Sequence, residues 1–307
     1  MLKPRALRPG DRVAVVAPAS PFKREDFDAG IAELRRLGFD PAFDDCVFDR
    51  SGYVAGEPGV RARALMDAWR DPLVGGIIGA RGGYGSVHLL PLIDPAELRR
   101  SPKVFVGYSD LTSILAFLST GCGIACFHGP SVAGRLGGGA GGYDAASLLA
   151  AVTRAEPMGD IAAPGLETIR AGEASGPIHG GTLTQIVASL GTPFAFAPPE
   201  RFVLLVDEVN ERPYRLDRML TQLRLSGVLG RASAIVFAEL MECDEPGGSP
   251  TARAVVGEVL RDFPGPVLFG VPTGHTAGPS VTIPLGVRAR VIGGREPRLV
   301  IEEAAVE

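Results

Sequence analysis

The first half of the chain alternates short β-branched runs with amphipathic segments, and this alternation restricts the fold more than any other feature. Arg12-Val13-Ala14-Val15-Val16-Ala17-Pro18 reads as a buried strand. Residues 23–37 follow with Phe27, Ile31, Leu34 and Leu37 at helical spacing, and Gly38-Phe39-Asp40 stops the helix. Residues 41–48 are extended in character. Residues 60–70 are predicted helical, with Ala64, Leu65, Ala68 and Trp69 as the apolar stripe. Gly75-Gly76-Ile77-Ile78-Gly79-Ala80 is a second buried strand, followed by a glycine-rich turn and a helix from Ser86. A further strand begins at Val104, and a helix follows Asp110. Strands that are apolar throughout need cover on both faces, so the pattern predicts a parallel sheet with helices on each side.

After a glycine-rich loop at 134–142 and a helix over 145–154, the pattern changes. Residues 156–176 mix Pro, Gly and Ala and read as a crossover. Short strands are then predicted at 202–206, 234–237, 267–271, 280–283, 288–292 and 299–301, with helices at 183–190 and 216–225. Closely spaced strands with Gly/Pro turns suggest a small mixed sheet or barrel. The organisation is therefore an N-terminal α/β domain at 1–155, a crossover linker at 156–176 and a C-terminal β-rich domain at 177–307. With 307 residues, 46% hydrophobic and 21% charged, the chain can fill two such cores.

Composition also narrows function. A net charge of -4 leaves no basic surplus for phosphates, which argues against nucleic acid as a partner. No run of about 18 apolar residues suggests a membrane span. The first residues, broken by Pro4 and Pro9, lack the apolar region of a signal peptide, so a cytoplasmic location is expected. Cys46, Cys122, Cys126 and Cys243 form no CxxC pair and read as free thiols. Cys122, Cys126 and His128 are close in sequence but lack an evident fourth ligand, so no metal is expected.

Ser109 sits where a buried strand turns sharply into a helix, a place where an enzyme can present a nucleophile. The plain reading of Gly107-Tyr108-Ser109-Asp110 is a helix N-cap. The loop Ala80-Arg81-Gly82-Gly83-Tyr84-Gly85-Ser86 can turn backbone N–H groups toward an oxyanion, or can be a tight turn; it does not fit the dinucleotide or P-loop spacings. His275 follows an apolar strand on a polar loop and is the candidate base. His88 reads as a helix residue, while His128 and His179 could support the site. Asp207 and Glu208 end the run Leu204-Leu205-Val206 on opposite sides, so only one can orient a given histidine. The chain order is thus serine, acid, histidine.

These blocks resemble the LD-carboxypeptidases of peptidase family S66, which include murein tetrapeptide carboxypeptidases and the microcin C7 immunity peptidase. The resemblance rests on Val13-Ala14-Val15-Val16-Ala17-Pro18-Ala19-Ser20-Pro21, Arg81-Gly82-Gly83-Tyr84-Gly85, Gly107-Tyr108-Ser109-Asp110 and His128-Gly129-Pro130. It continues through Gly180-Gly181-Thr182-Leu183, Glu211-Arg212-Pro213-Tyr214, Gly274-His275 and Ile283-Pro284-Leu285-Gly286. It implies a flavodoxin-like N-terminal domain, a β-rich, swivelling or barrel-like C-terminal α/β domain, a homodimer, and no cofactor or metal. It also implies a Ser-acid-His triad of Ser109, His275 and an acid. The family usually has Glu in the acid position, and alignment on Val209-Asn210-Glu211 puts Asp207 there, with Glu208 one place later. The oxyanion donors would be the backbone N–H groups near Gly83 and of Asp110. The implied substrate is a murein peptide cut between an L-centred diamino acid and a terminal D-amino acid, D-Ala. Arg81 and Arg212 are candidates for its carboxylate. The alternatives are a microcin-type peptide amidase and an inert peptide- or sugar-binding protein on the same scaffold.

Overall fold

The computed structural model describes residues 1–307, arranged around two sheets. The first contains β1 (Arg12–Val16), β2 (Asp40–Ala42), β3 (Val74–Gly79), β4 (Val104–Gly107) and β5 (Cys126–His128). These five are parallel and lie in the order β5-β4-β3-β1-β2. That is the flavodoxin-like arrangement, with the topological switch between β1 and β3. Around it lie α1 (Arg24–Arg36), α2 (Pro58–Arg70), α3 (Pro95–Arg100), α4 (Thr112–Ala116) and α5 (Ala145–Thr153). In α1, Phe27, Gly30, Ile31 and Leu34 make the buried stripe, and Glu25 and Asp26 in its first turn and Arg35 and Arg36 in its last suit the helix dipole.

The second sheet has eight strands: β6 (Gly159–Asp160), β7 (Glu167–Arg170), β8 (Gly172–Thr182), β9 (Phe202–Asp207), β10 (Ala232–Ala238), β11 (Val267–Val271), β13 (Arg288–Gly293) and β14 (Arg298–Ile301). Their order is β6-β14-β13-β8-β9-β10-β11-β7; β8 to β11 run parallel and the flanking pairs antiparallel. Edge strand β7 meets the turn after β13, where Gly294 N–H donates to Thr168 Oγ1 at 3.0 Å, so the sheet curls toward a barrel. Its helices are α6 (Leu183–Ser189), α7 (Pro213–Leu225), α8 (Val228–Arg231) and α9 (Ala252–Val259). Phe202, Leu204 and Val206 of β9 face the cluster that includes Leu216, Leu220 and Leu223 of α7, while Val203 and Leu205 join the larger core shared with the first sheet. Alternation along β9 therefore decides which side chains look toward the first sheet.

Several elements differ from the sequence reading. β12 (Ile283–Leu285) forms slightly later than the strand predicted at 280–283. It joins the first sheet, antiparallel to β5, with Ile283 opposite His128. Residues 156–176 carry β6, β7 and the start of β8, because pairing with β14, β11 and β13 overrides their Gly/Pro content. Residues 86–92 form a 3-10 segment interrupted by Pro91 rather than an α-helix. Residues 45–48 form another, capped by Asp44, whose carboxylate accepts the Cys46 N–H at 2.9 Å. α9 adds a helix to the elements expected from the sequence; Thr251 caps it by accepting the Ala254 N–H at 3.1 Å.

Candidate active site

The C-terminal ends of parallel strands from both sheets point at one another. From the first sheet, the loop after β3 brings Arg81, Gly82 and Gly83, the corner after β4 brings Tyr108 and Ser109, and β5 ends on His128. From the second, β8 ends on Thr182, β9 on Asp207, and the loop after β11 carries His275. Between them is a cavity of about 510 Å³ lined by residues including Arg81, Gly82, Gly83, Tyr108, Ser109 and His275.

Ser109 has a φ of 61°, a left-handed backbone that an L-residue adopts at a cost of about 1–2 kcal/mol. It does not cap the following turn with its side chain, which removes the plain N-cap reading. The residue that fixes the corner is Asp110. Its carboxylate accepts the Ser86 N–H at 2.8 Å, and its carbonyl accepts the Ser86 hydroxyl at 2.6 Å. These bonds tie the glycine loop to the serine corner. Gly82 is required there by close approach, because a Cβ on it would stand 2.8 Å from the Ser109 Cβ and 3.1 Å from its Oγ. Buried Arg61 braces the same loops from behind, donating to the carbonyls of Pro18, Gly85 and Gly56.

The two carboxylates end on opposite sides, as alternation requires. Asp207 is fully buried. Its Oδ1 accepts the His275 backbone N–H at 3.0 Å, its Oδ2 lies 2.8 Å from His275 Nδ1, and the Thr182 hydroxyl donates to Oδ2 at 3.3 Å. Glu208 points to the helical side. There it accepts the Thr184 N–H at 2.8 Å and hydroxyl at 2.6 Å, so it caps the start of α6 and does not touch His275. Burial pushes Glu208 above the usual carboxylate range. Burial also pushes Asp207 upward, but the hydrogen bonds and charge of His275 outweigh it and hold Asp207 below its ordinary value. In turn burial opposes charging His275, and the Asp207 bond wins, so the imidazole's pKa is raised. The Tyr108 ring lies 5.2 Å from that of His275, centre to centre.

The structure brings together Ser109, Asp207, His275, Gly83, Asp110 and Arg81, but not Arg212. Arg212 precedes α7, where its guanidinium pairs with Glu245, and it does not line the cavity, because the chain after Asp207 turns away on the helical side. His88 faces Arg61 and Tyr84, and His179 is buried beside Phe202. No group of three or more His, Cys, Asp or Glu side chains is arranged to hold a metal ion. Lys23, Asp26 and Ser131, which no motif marks, also line the cavity, and the Ser20 hydroxyl, beside it, accepts the Tyr84 N–H at 3.0 Å. For Ser20 the available signal was the Pro-Ala-Ser-Pro turn straight after β1.

The sequence matches the LD-carboxypeptidase N-terminal domain over residues 13–129 and the LD-carboxypeptidase C-terminal domain over residues 175–291. The chain belongs to the LD-carboxypeptidases, peptidase family S66. A Bacillus subtilis relative named "Probable murein peptide carboxypeptidase" is 30% identical over 308 residues, covering 99% of this chain and 96% of its own. The murein tetrapeptide carboxypeptidase of Pseudomonas aeruginosa is 28% identical over 282 residues, 87% of this chain and 88% of its own. The solved structure of the microcin C7 self-immunity protein MccF superposes with a TM-score of 0.90 over 100% of both chains at 22% identity, a likeness of fold. As a member of a peptidase family, this LD-carboxypeptidase is a hydrolase. No helix is long and apolar enough to cross a membrane.

Proposed function

We propose that this LD-carboxypeptidase is a serine enzyme that removes a terminal D-amino acid, D-Ala, from murein tetrapeptides by cutting its bond to an L-centred diamino acid. The observation that carries the reading is one cavity holding both a serine on a left-handed corner and a histidine bonded to a buried carboxylate. In this mechanism Asp207 accepts His275 Nδ1–H, which leaves Nε2 free to take the Ser109 proton. Ser109 Oγ then forms a bond to the scissile carbonyl carbon. Backbone N–H groups of Gly83 and Asp110 receive the oxyanion. His275 returns its proton to the departing amine, the C–N bond breaks and D-Ala leaves. Water, deprotonated by the same imidazole, hydrolyses the acyl-serine. Arg81, on the cavity wall, is the cation for the terminal carboxylate.

The homodimer and the cytoplasmic location implied by the family resemblance belong to the same reading; light scattering on the purified chain tests the first, and cell fractionation the second. The test of the activity is incubation with L-Ala-γ-D-Glu-meso-diaminopimelate-D-Ala, with released D-Ala read by mass spectrometry. D-Ala release by the wild type, and less than about 1% of it with Ser109→Ala, is expected, since loss of a triad member costs several orders of magnitude. Full turnover by Ser109→Ala would overturn the nucleophile assignment. Cleavage of an aminoacyl sulfamoyl nucleoside in preference to the tetrapeptide would move the substrate to the microcin type.

A further inference from the structure

His128 is fully buried, and neither of its ring nitrogens has a hydrogen-bond partner. A neutral imidazole carries one N–H and one acceptor nitrogen, and leaving a buried polar group unpaired costs about 1–3 kcal/mol. Such an arrangement in a well-packed strand end calls for a reason. The register supplies its position: as the last residue of β5, His128 sits beside Gly107, which leads into the Ser109 corner, and opposite Ile283 of β12. Its Nε2 lies 3.8 Å from Asp207 Oδ2, the same oxygen that faces His275 Nδ1. The loop carrying His275 closes on both groups. Gly274, at φ +61°, has no room for a side chain, because a Cβ would stand 2.7 Å from His128 Nε2 and overlap the Asp207 carboxylate.

We propose that His128 is a positioning residue for Asp207: its Nε2–H is aimed at Oδ2, and the ring stays neutral so that the carboxylate remains ionised and His275 alone receives the catalytic proton. At 3.8 Å the contact is a charge–dipole attraction, longer than a hydrogen bond; hydrogen bonds of catalytic groups are often long in unliganded sites and tighten in the Michaelis complex. Asp207 is thus flanked by two imidazoles in unequal surroundings. Burial lowers the pKa of His128 to about 4, whereas its bond to Asp207 raises that of His275. The other groups facing the cluster do not reverse this order. Thr182 at the end of β8 donates to Asp207 and the Tyr108 ring stands 6.3 Å from His128. Glu208 favours a charged His275, and Arg135 opposes it more weakly than Asp207 promotes it.

The inference rests on the Ser109-His275-Asp207 reading, and its test separates the two. Initial rates of D-Ala release are measured from pH 5 to 9 for the wild type, Ser109→Ala, His128→Gln, His128→Asn and His128→Phe, with thermal melting to confirm folding. Gln carries its amide near the Nε2 position and Asn near Nδ1. The expected result is that Gln retains kcat within about fivefold, while Asn and Phe lose at least tenfold in kcat with KM changed less than twofold. In those two the acid limb of kcat/KM moves up by half a pH unit or more, because Asp207, having lost a donor, binds the His275 proton more strongly. Should Phe not fold, the Gln–Asn contrast alone decides. Equal behaviour of Gln and Asn, or an acid limb that does not move, overturns the inference. If Ser109→Ala keeps turnover, it is the triad reading that fails; if Ser109→Ala is dead and the His128 variants match the wild type, only the role of His128 fails.

Discussion

Replacing each of the two adjacent carboxylates by its amide separates their roles. In Asp207→Asn the geometry forces a conflict. Two donors from His275, the backbone N–H and Nδ1–H, reach two different oxygens of Asp207 at 3.0 and 2.8 Å. An amide can accept only one of them. If its oxygen keeps the backbone N–H, its NH₂ faces Nδ1, and the ring must carry its proton on Nε2, where it can no longer accept one from Ser109. Loss of that tautomer costs about 10⁴ in kcat, or about 5 kcal/mol of transition-state stabilisation. The pH profile adds a second signature. A base must be neutral to act; burial opposes charging His275 but the Asp207 bond outweighs it and raises its pKa, so the wild-type acid limb is expected above the ordinary histidine value of about 6.5 and should move down in the Asn variant. Glu208→Gln keeps an oxygen for Thr184 and disturbs only the Val209 N–H, 3.1 Å away. The expected cost is about 1 kcal/mol of stability with kcat within about threefold. Steady-state D-Ala release over pH, with melting curves for both variants, provides the assay. A hundredfold rate loss in Glu208→Gln beside an Asp207→Asn enzyme within tenfold of wild type would refute the reasoning.

Two further predictions concern the corner and the cavity wall. Ser109→Gly relieves a left-handed backbone worth about 1–2 kcal/mol and gives back about 0.5–1 kcal/mol in chain entropy, so it should melt about 2 °C above Ser109→Ala; a lower melting point for the glycine variant would contradict strain at this corner. Arg81→Ala should raise KM for the tetrapeptide about tenfold with kcat within threefold, and an unchanged KM would remove Arg81 from carboxylate recognition.

The parallel sheet was legible in the sequence because β1, β3 and β4 are apolar on both faces, and only cover on both sides makes that stable. The corner at Ser109 was legible for the same reason, since a buried strand that ends on Gly107 has to turn. β8 was hidden because its glycines and proline have little strand propensity of their own; its ladder exists because β9 and β13 lie on either side. Where Arg212 lies was not legible, because closeness to a motif in sequence says nothing about where a side chain goes; just before α7 its guanidinium pairs with Glu245, away from the cavity.

By itself the sequence determined the alternating elements, the sharp corner at Ser109, the few histidines available and the fact that only one of Asp207 and Glu208 could face His275. Which one it is depends on which face of β9 looks toward the first sheet. Nothing in Phe202-Val203-Leu204-Leu205-Val206 reveals that, since every residue is apolar and every one is buried. The choice is made when α6 and α7 cover the Phe202-Leu204-Val206 side, leaving Val203, Leu205 and then Asp207 on the side of β5, where His128 and the His275 loop meet the carboxylate. Period-two alternation then sends Glu208 to the helices, where Thr184 satisfies it.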